Sequence, residues 1–270
     1  MDFETTRELT LEILKKDYLE SDHSLQFVGI IHDVNQLAVK RGILKESSSL
    51  PDKNIEYILD LINLLLQQGI IRWGLNRSNL NPPFMAITEY GRKVLESDEP
   101  TPYDPDGYLS NIKNKVSLDE TAELYLVECM QTFQRGNYLS SAVMLGVAAE
   151  AIFNLVYDAF IESLKSTKMK GEFEKLRGTA RTKRRIDLVT EVIRVKGKED
   201  FPKNMVDEFG SKTEPILNLI RRLRNDVGHP TGIKIERMEM YTNMMLFRVY
   251  CEASYNLINF LQNNKIMKNS

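Results

Sequence analysis

A guanidinium that keeps its charge at any pH and an imidazole that exchanges its proton near neutrality are the groups a phosphodiester transfer needs. Residues 216–232, ILNLIRRLRNDVGHPTG, carry both within one turn and a half: Arg224 and His229, with Asn225 beside the arginine. The arginine offers a permanent, bidentate charge to a phosphate that grows more negative in the transition state. The histidine can take a 2′-hydroxyl proton or protonate a leaving oxygen, and the Asn225 amide can orient either the ring or the phosphate.

Whether those groups meet depends on the backbone between them. Ile216, Leu217, Ile220, Leu223 and Val227 recur at helical spacing, which turns Arg221, Arg222, Arg224 and Asp226 toward the edges and the far side. On an unbroken helix Arg224 and His229 would point about 140° apart. Gly228 takes positive φ without steric cost, so the spacing predicts a bend there that swings His229 back toward Arg224, and Pro230 forbids continuation. The competing reading is a histidine that caps a helix beside a surface arginine.

Other residues could serve the same cleft. Glu150 is embedded in a long apolar run, where it either fixes the rotamer of a cleft arginine or pairs structurally with a buried one. Lys175, Arg177, Arg181, Lys183, Arg184 and Arg185 form a basic cluster that Arg221 and Arg222 extend; it reads as a track for an RNA backbone or as a solvated face. No Gly-rich phosphate loop, metal-ligand cluster or Gly-x-Ser-x-Gly elbow occurs, so neither cofactor nor metal is expected. His23 and His32 stand in an acidic stretch without evident partners and read as structural, and the methionines of 237–247 read as core or dimer seam.

Arg-Asn-Asp-Val-Gly-His resembles the signature of HEPN domains, an arginine, a polar residue, and a histidine a few positions on; Arg224, Asn225 and His229 match it. The stretch SSAVMLGVAAEAIFNLVYDAF, with Glu150 inside it, resembles a central HEPN helix, and the likeness spans about residues 117–264. The resemblance implies an all-α bundle that dimerises so that two motifs face each other across a composite cleft. In active members that cleft cuts RNA without a metal. A metal-independent endoribonuclease, acting as a toxin or anti-phage effector, is therefore the expected function, with RNA as substrate, a second copy as partner, and an antitoxin or defence-complex subunit as a further one.

The elements that must position these residues follow from the pattern of the rest of the chain. At 270 residues, with 42% hydrophobic and 27% charged, it has room for two globular units and no mark of disorder. Cys129 and Cys251 lie far apart and read as small core residues of a reducing compartment, and MDFETTRELT lacks the basic-then-apolar order of a signal peptide, so a cytoplasmic protein is expected. The apolar run Ser141 to Tyr157 is interrupted by Glu150 and Asn154 and reads as a buried core helix, with no membrane partner.

Residues 1–97 read as three helices, a hairpin (IIRWGL and FMAIT) and a short helix capped by Thr88, which is the winged-helix order. QGIIRWG followed by AITEYGRKVLE resembles the wing region of bacterial winged-helix proteins. The third helix, though, carries Asp52, Glu56 and Asp60 against Lys53, which favours protein docking over DNA binding. Lys and Arg number 11 against 14 acids in residues 1–97, and 25 against 20 in residues 110–270, so the second half is the better home for a polyanion. Residues 98–116 read as a Pro/Asp-rich linker and 117–270 as the helical domain. The competing function is a non-catalytic regulator: a winged helix that binds DNA or protein, with a helical domain that dimerises or holds a nucleotide.

Overall fold

In the computed structural model, which describes residues 1–19, 25–45, 48–96, 101–179, 181–196, 198–230 and 232–267, the chain is mainly helical with one small antiparallel sheet. It divides into two compact units, Met1–Tyr103 and Asp104–Ser270.

The first unit begins with α1 (Phe3–Ile13), whose N-cap Asp2 accepts from the Thr5 amide at 2.8 Å, and runs on through a wider π turn at Leu14–Tyr18. Helix α2 (Phe27–Lys40) closes at Gly42, which takes φ +70°, and α3 (Asp52–Gln67) starts directly after Pro51. Strands β1 (Leu25–Gln26), β2 (Ile71–Trp73) and β3 (Phe84–Ile87) pair in the order β1-β3-β2, with Leu25 opposite Met85 and Ile71 opposite Ile87. Leu25 and Gln26, which helical spacing would join to α2, form a sheet edge instead, because Met85 offers Leu25 a buried cross-strand partner. Helix α4 (Glu89–Glu96) is capped by Thr88, whose hydroxyl accepts from Gly91 at 2.8 Å. Leu9, Ile30, Val34, Ile58, Ile62 and Met85 fill the core. Asp52, Lys53, Glu56 and Asp60 stay on the exposed side of α3.

The second unit starts earlier than the sequence pattern indicates. Part of the expected 98–116 linker is helix α5 (Pro105–Lys115), with Asp104 accepting from Gly107 at 3.1 Å and Pro105 in the first turn. Asp and Pro serve equally well as loop formers and as helix-start residues. Burial decides between them: Tyr108 is fully enclosed and donates to the Met244 carbonyl at 2.5 Å. Residues 98–100 of that linker lie outside the described residues.

Helix α6 (Glu120–Gln134) turns at Gly136, φ +76°, into α7 (Tyr138–Ser163), the axis of the unit. The charged, Gly-broken stretch after α7 contains α8 (Thr167–Glu174). It is stable there because Phe173 stacks on Tyr157 and Phe160, with ring centres 5.0 and 5.7 Å away. Helix α9 (Thr182–Glu191) passes into a π turn, and α10 (Lys203–Glu208) leads through another π turn into α11 (Glu214–Gly228). Pro215 stands just after that π turn, with Thr213 and Glu214 before it still in helical conformation, so the chain runs through it as helix instead of breaking. Helix α12 (Arg237–Asn263) closes the unit.

Helices α6, α11 and α12 all pack on α7. By length and composition α7 alone among the described residues could cross a bilayer, and half of its most apolar stretch is buried by its neighbours. Tyr250 of α12 donates to the α7 carbonyl of Ala149 at 2.8 Å, locking the two longest helices together.

Candidate functional site at the crossing of α7 and α11

Gly146, Glu150, Asn154 and Asp158 follow one another at intervals of four, so they form one stripe along α7. Each has a distinct task. At Gly146 the two helices touch: a Cβ built there would lie 2.5 Å from Cβ and 2.6 Å from Cγ of Arg224. Only glycine lets α11 approach so near. One turn further along α7, Glu150 receives Nη2 of Arg224 in a close ion pair, the two side chains being 31% and 22% exposed. The pair is therefore neither buried nor freely solvated, and a charge-assisted hydrogen bond fixes the arginine rotamer. Nε of Arg224 and of Arg221 are both enclosed without a hydrogen-bond partner.

The bend expected at Gly228 is absent. Gly228 belongs to the last turn of α11 and is not among the glycines with positive φ; the chain leaves the helix only at His229, in an extended conformation with φ −103° and ψ 146°. The reason is that extended backbone, open to any residue, ends a helix ahead of Pro230 as well as a left-handed glycine does. Helical register consequently holds up to His229, which is exposed. Its Cα lies about 140° round the axis from that of Arg224.

One chain thus separates Arg224 from His229 and groups the histidine otherwise. Arg221, Asn225 and His229 recur at intervals of four on one face of α11, and Arg222 lies two turns before the histidine on the adjoining edge. Arg222 is exposed, and Arg221 and Asn225 are half-buried.

The basic cluster also divides. Lys175, Arg181 and Arg184 are exposed, Lys183 is paired with Asp187 at 2.7 Å, and Arg177 with Asp158 at 3.0 Å. Arg185, expected on an RNA track, points inward and is only 6% exposed. Its place on the α9 helix puts it one turn before the buried Val189. It donates to Asn154 Oδ1 at 2.6 Å and to Thr182 Oγ1 at 3.3 Å, and its guanidinium carbon stands 5.7 and 5.5 Å from the Phe153 and Tyr157 ring centres. Beside it a cavity of about 470 Å³ opens between α7 and the start of α9.

His32 is exposed and bonded to the Gln36 amide at 2.7 Å; His23 lies outside the described residues. Met240 and Met244 are buried, while Met238 is exposed. Among the described residues no three metal-ligating side chains converge.

The roles of Gly146, Asn154 and the inward Arg185 escape a motif search. The four-residue spacing of Gly146, Glu150, Asn154 and Asp158 within an otherwise apolar helix was the signal for the first two; nothing in the sequence marks which arginine of Arg184-Arg185 turns inward until the phase of α9 is known. No family model, no curated protein and no solved structure matches the chain.

Proposed function

We infer that the helical unit is a HEPN-type, metal-independent endoribonuclease acting as a homodimer, with its cleft assembled from two copies of the C-terminal end of α11. The observation that supports this reading is the separation just described. His229 is exposed at the helix end, and Arg224, engaged by Glu150, leaves the α11 axis about 140° round from it, an arrangement that favours pairing the arginine of one copy with the histidine of the other.

In that cleft one His229 takes the proton of the RNA 2′-hydroxyl. The 2′-oxygen then forms a bond to phosphorus as the bond to the 5′-oxygen breaks. A water molecule protonates that leaving oxygen and recovers its proton from the imidazolium, giving a 2′,3′-cyclic phosphate and a 5′-hydroxyl. Arg224 and Asn225 face the extra charge on the phosphoryl oxygens, and Arg221 and Arg222 carry the flanking backbone. The N-terminal unit, with helices, hairpin and helix in winged-helix order and an acidic α3 face, serves as a docking or sensing module for a protein. The HEPN resemblance extends the reading to a toxin or anti-phage effector, kept in check by a partner chain.

Complementation tests the composite cleft. With EDTA present, Arg224→Ala and His229→Ala chains should each lose about 10²- to 10⁴-fold in RNA cleavage. Mixed and allowed to exchange subunits, they should regain about a quarter of wild-type activity, because random pairing leaves one intact site in half of the dimers. Full activity of the His229→Ala protein removes the reading; inactive mixtures place arginine and histidine of a working site in the same chain.

The competing regulator reading is favoured by one observation, that Glu150 already neutralises Arg224. Wild-type protein without RNA cleavage, together with a stable dimer, is its expected outcome.

A further inference from the structure

The cavity between α7 and α9 holds a charge without a counter-charge. Arg185 is enclosed, yet its hydrogen-bond partners are an amide and a hydroxyl, it forms no ion pair among the described residues, and its Nε has no partner at all. Burying a cation is costly, and most so when no anion accompanies it. The two carboxylates that line the same cavity are both engaged, Glu150 by Arg224 and Asp158 by Arg177. Three guanidinium groups thus stand around two carboxylates, and the excess positive charge is the buried one.

The remaining lining is made for an anion. Thr182 opens α9 at the cavity wall, and the N-cap Arg181 gives that helix no side-chain cap, so its positive end stands beside the cavity. Thr179 and Thr182 line the same wall; the Thr179 hydroxyl donates to the Leu176 carbonyl at 2.8 Å, while that of Thr182 accepts from Arg185. A volume of about 470 Å³ is ample for a phosphate and lies within the range of small-molecule sites.

We propose that this cavity is a phosphate-binding site, taking the terminal phosphate of a nucleotide or of an RNA 5′ end, with Arg185 and the first turn of α9 as its ligands. The site shares Glu150 with the α11 cleft, but its binding of phosphate does not depend on that cleft's being catalytic. The phosphate supplies the missing counter-charge, and the open helix end and the Thr182 hydroxyl bind its oxygens.

The test uses the full chain and thermal melting. Inorganic phosphate and AMP should raise the melting temperature in proportion to concentration, while adenosine should not. An RNA oligonucleotide with a 5′-phosphate that binds at least tenfold tighter than its 5′-hydroxyl twin, and tighter than AMP, identifies an RNA end; AMP binding as tightly as the oligonucleotide identifies a free nucleotide. Thr182→Asp puts a carboxylate beside Arg185 in the first turn of α9, where an acid also favours the helix. That variant should melt higher than the wild type without ligand and lose the phosphate-dependent rise. Arg185→Gln, which can still donate to Asn154, should lose the rise as well. Absence of any phosphate-dependent rise in the wild type overturns the proposal, and so does an undiminished rise in Thr182→Asp. His229→Ala, which disables the α11 cleft, should keep the phosphate-dependent rise, so loss of this site and loss of the α11 cleft are read separately.

Discussion

At the scale of single residues, Gly146 shows how a side chain that is absent can position one that is present. The close approach it permits delivers Arg224 to Glu150. Replacing it tests two opposed effects. Alanine is the better helix former by about 1 kcal/mol, but its Cβ would meet Cβ and Cγ of Arg224, atoms fixed near the backbone that cannot swing aside. Overpacking of this kind costs about 1–3 kcal/mol, so Gly146→Ala should lower the urea midpoint of the helical unit. A midpoint raised by the substitution would mean that α7 and α11 do not pack this tightly. Arg185 teaches the complementary lesson: adjacent in sequence to Arg184 and chemically identical to it, it differs wholly in environment because one residue of helix rotates a side chain by about 100°.

At the scale of elements, the boundaries that burial decides are the ones hardest to read. The ends of α7 and α12 follow from long apolar patterns closed by Gly136-Asn137 and by the polar tail after Asn263, and they stand where periodicity puts them. Helix α5 does not announce itself, because its residues Pro105, Asp106 and Gly107 are those of a linker, and what holds it is Tyr108 and Ile112 docked on the rest of the unit. Truncating Tyr108 to alanine should therefore cost about 3–5 kcal/mol by chemical denaturation, in line with the loss of a large enclosed ring. Tyr108→Phe keeps the packing and gives up only the bond to Met244, at about 1 kcal/mol. Equal and negligible losses in the two variants would show α5 to be a tether after all.

At the scale of the molecule, the helical unit keeps several ionisable groups neutral by enclosing them. Burial pushes the thiols of Cys129 and Cys251 from 9.0 up to about 12, and the phenols of Tyr157 and Tyr255 from 10.0 up to about 12. Each raised value means that the folded unit holds its proton when the unfolded chain has released it. The associated stability is complete below about pH 9 and is lost as pH climbs toward 12. Urea midpoints at pH 8 and pH 10 should differ, the latter being lower, and Cys129 and Cys251 should resist thiol reagents at pH 8 until the unit unfolds. The mainly helical character, the small hairpin ahead of a long helical region, and the Arg-Asn-x-x-x-His segment on the last turn of a helix are all written in the sequence, since they depend on local period and turn chemistry. The meeting of Arg224 with Glu150 across 74 positions, the straight run of α11 through Gly228, and the burial of Arg185 were settled by tertiary packing. Local spacing fixes the direction of a side chain on its own helix, but the phase of one helix against another is set by which small residues let their backbones touch.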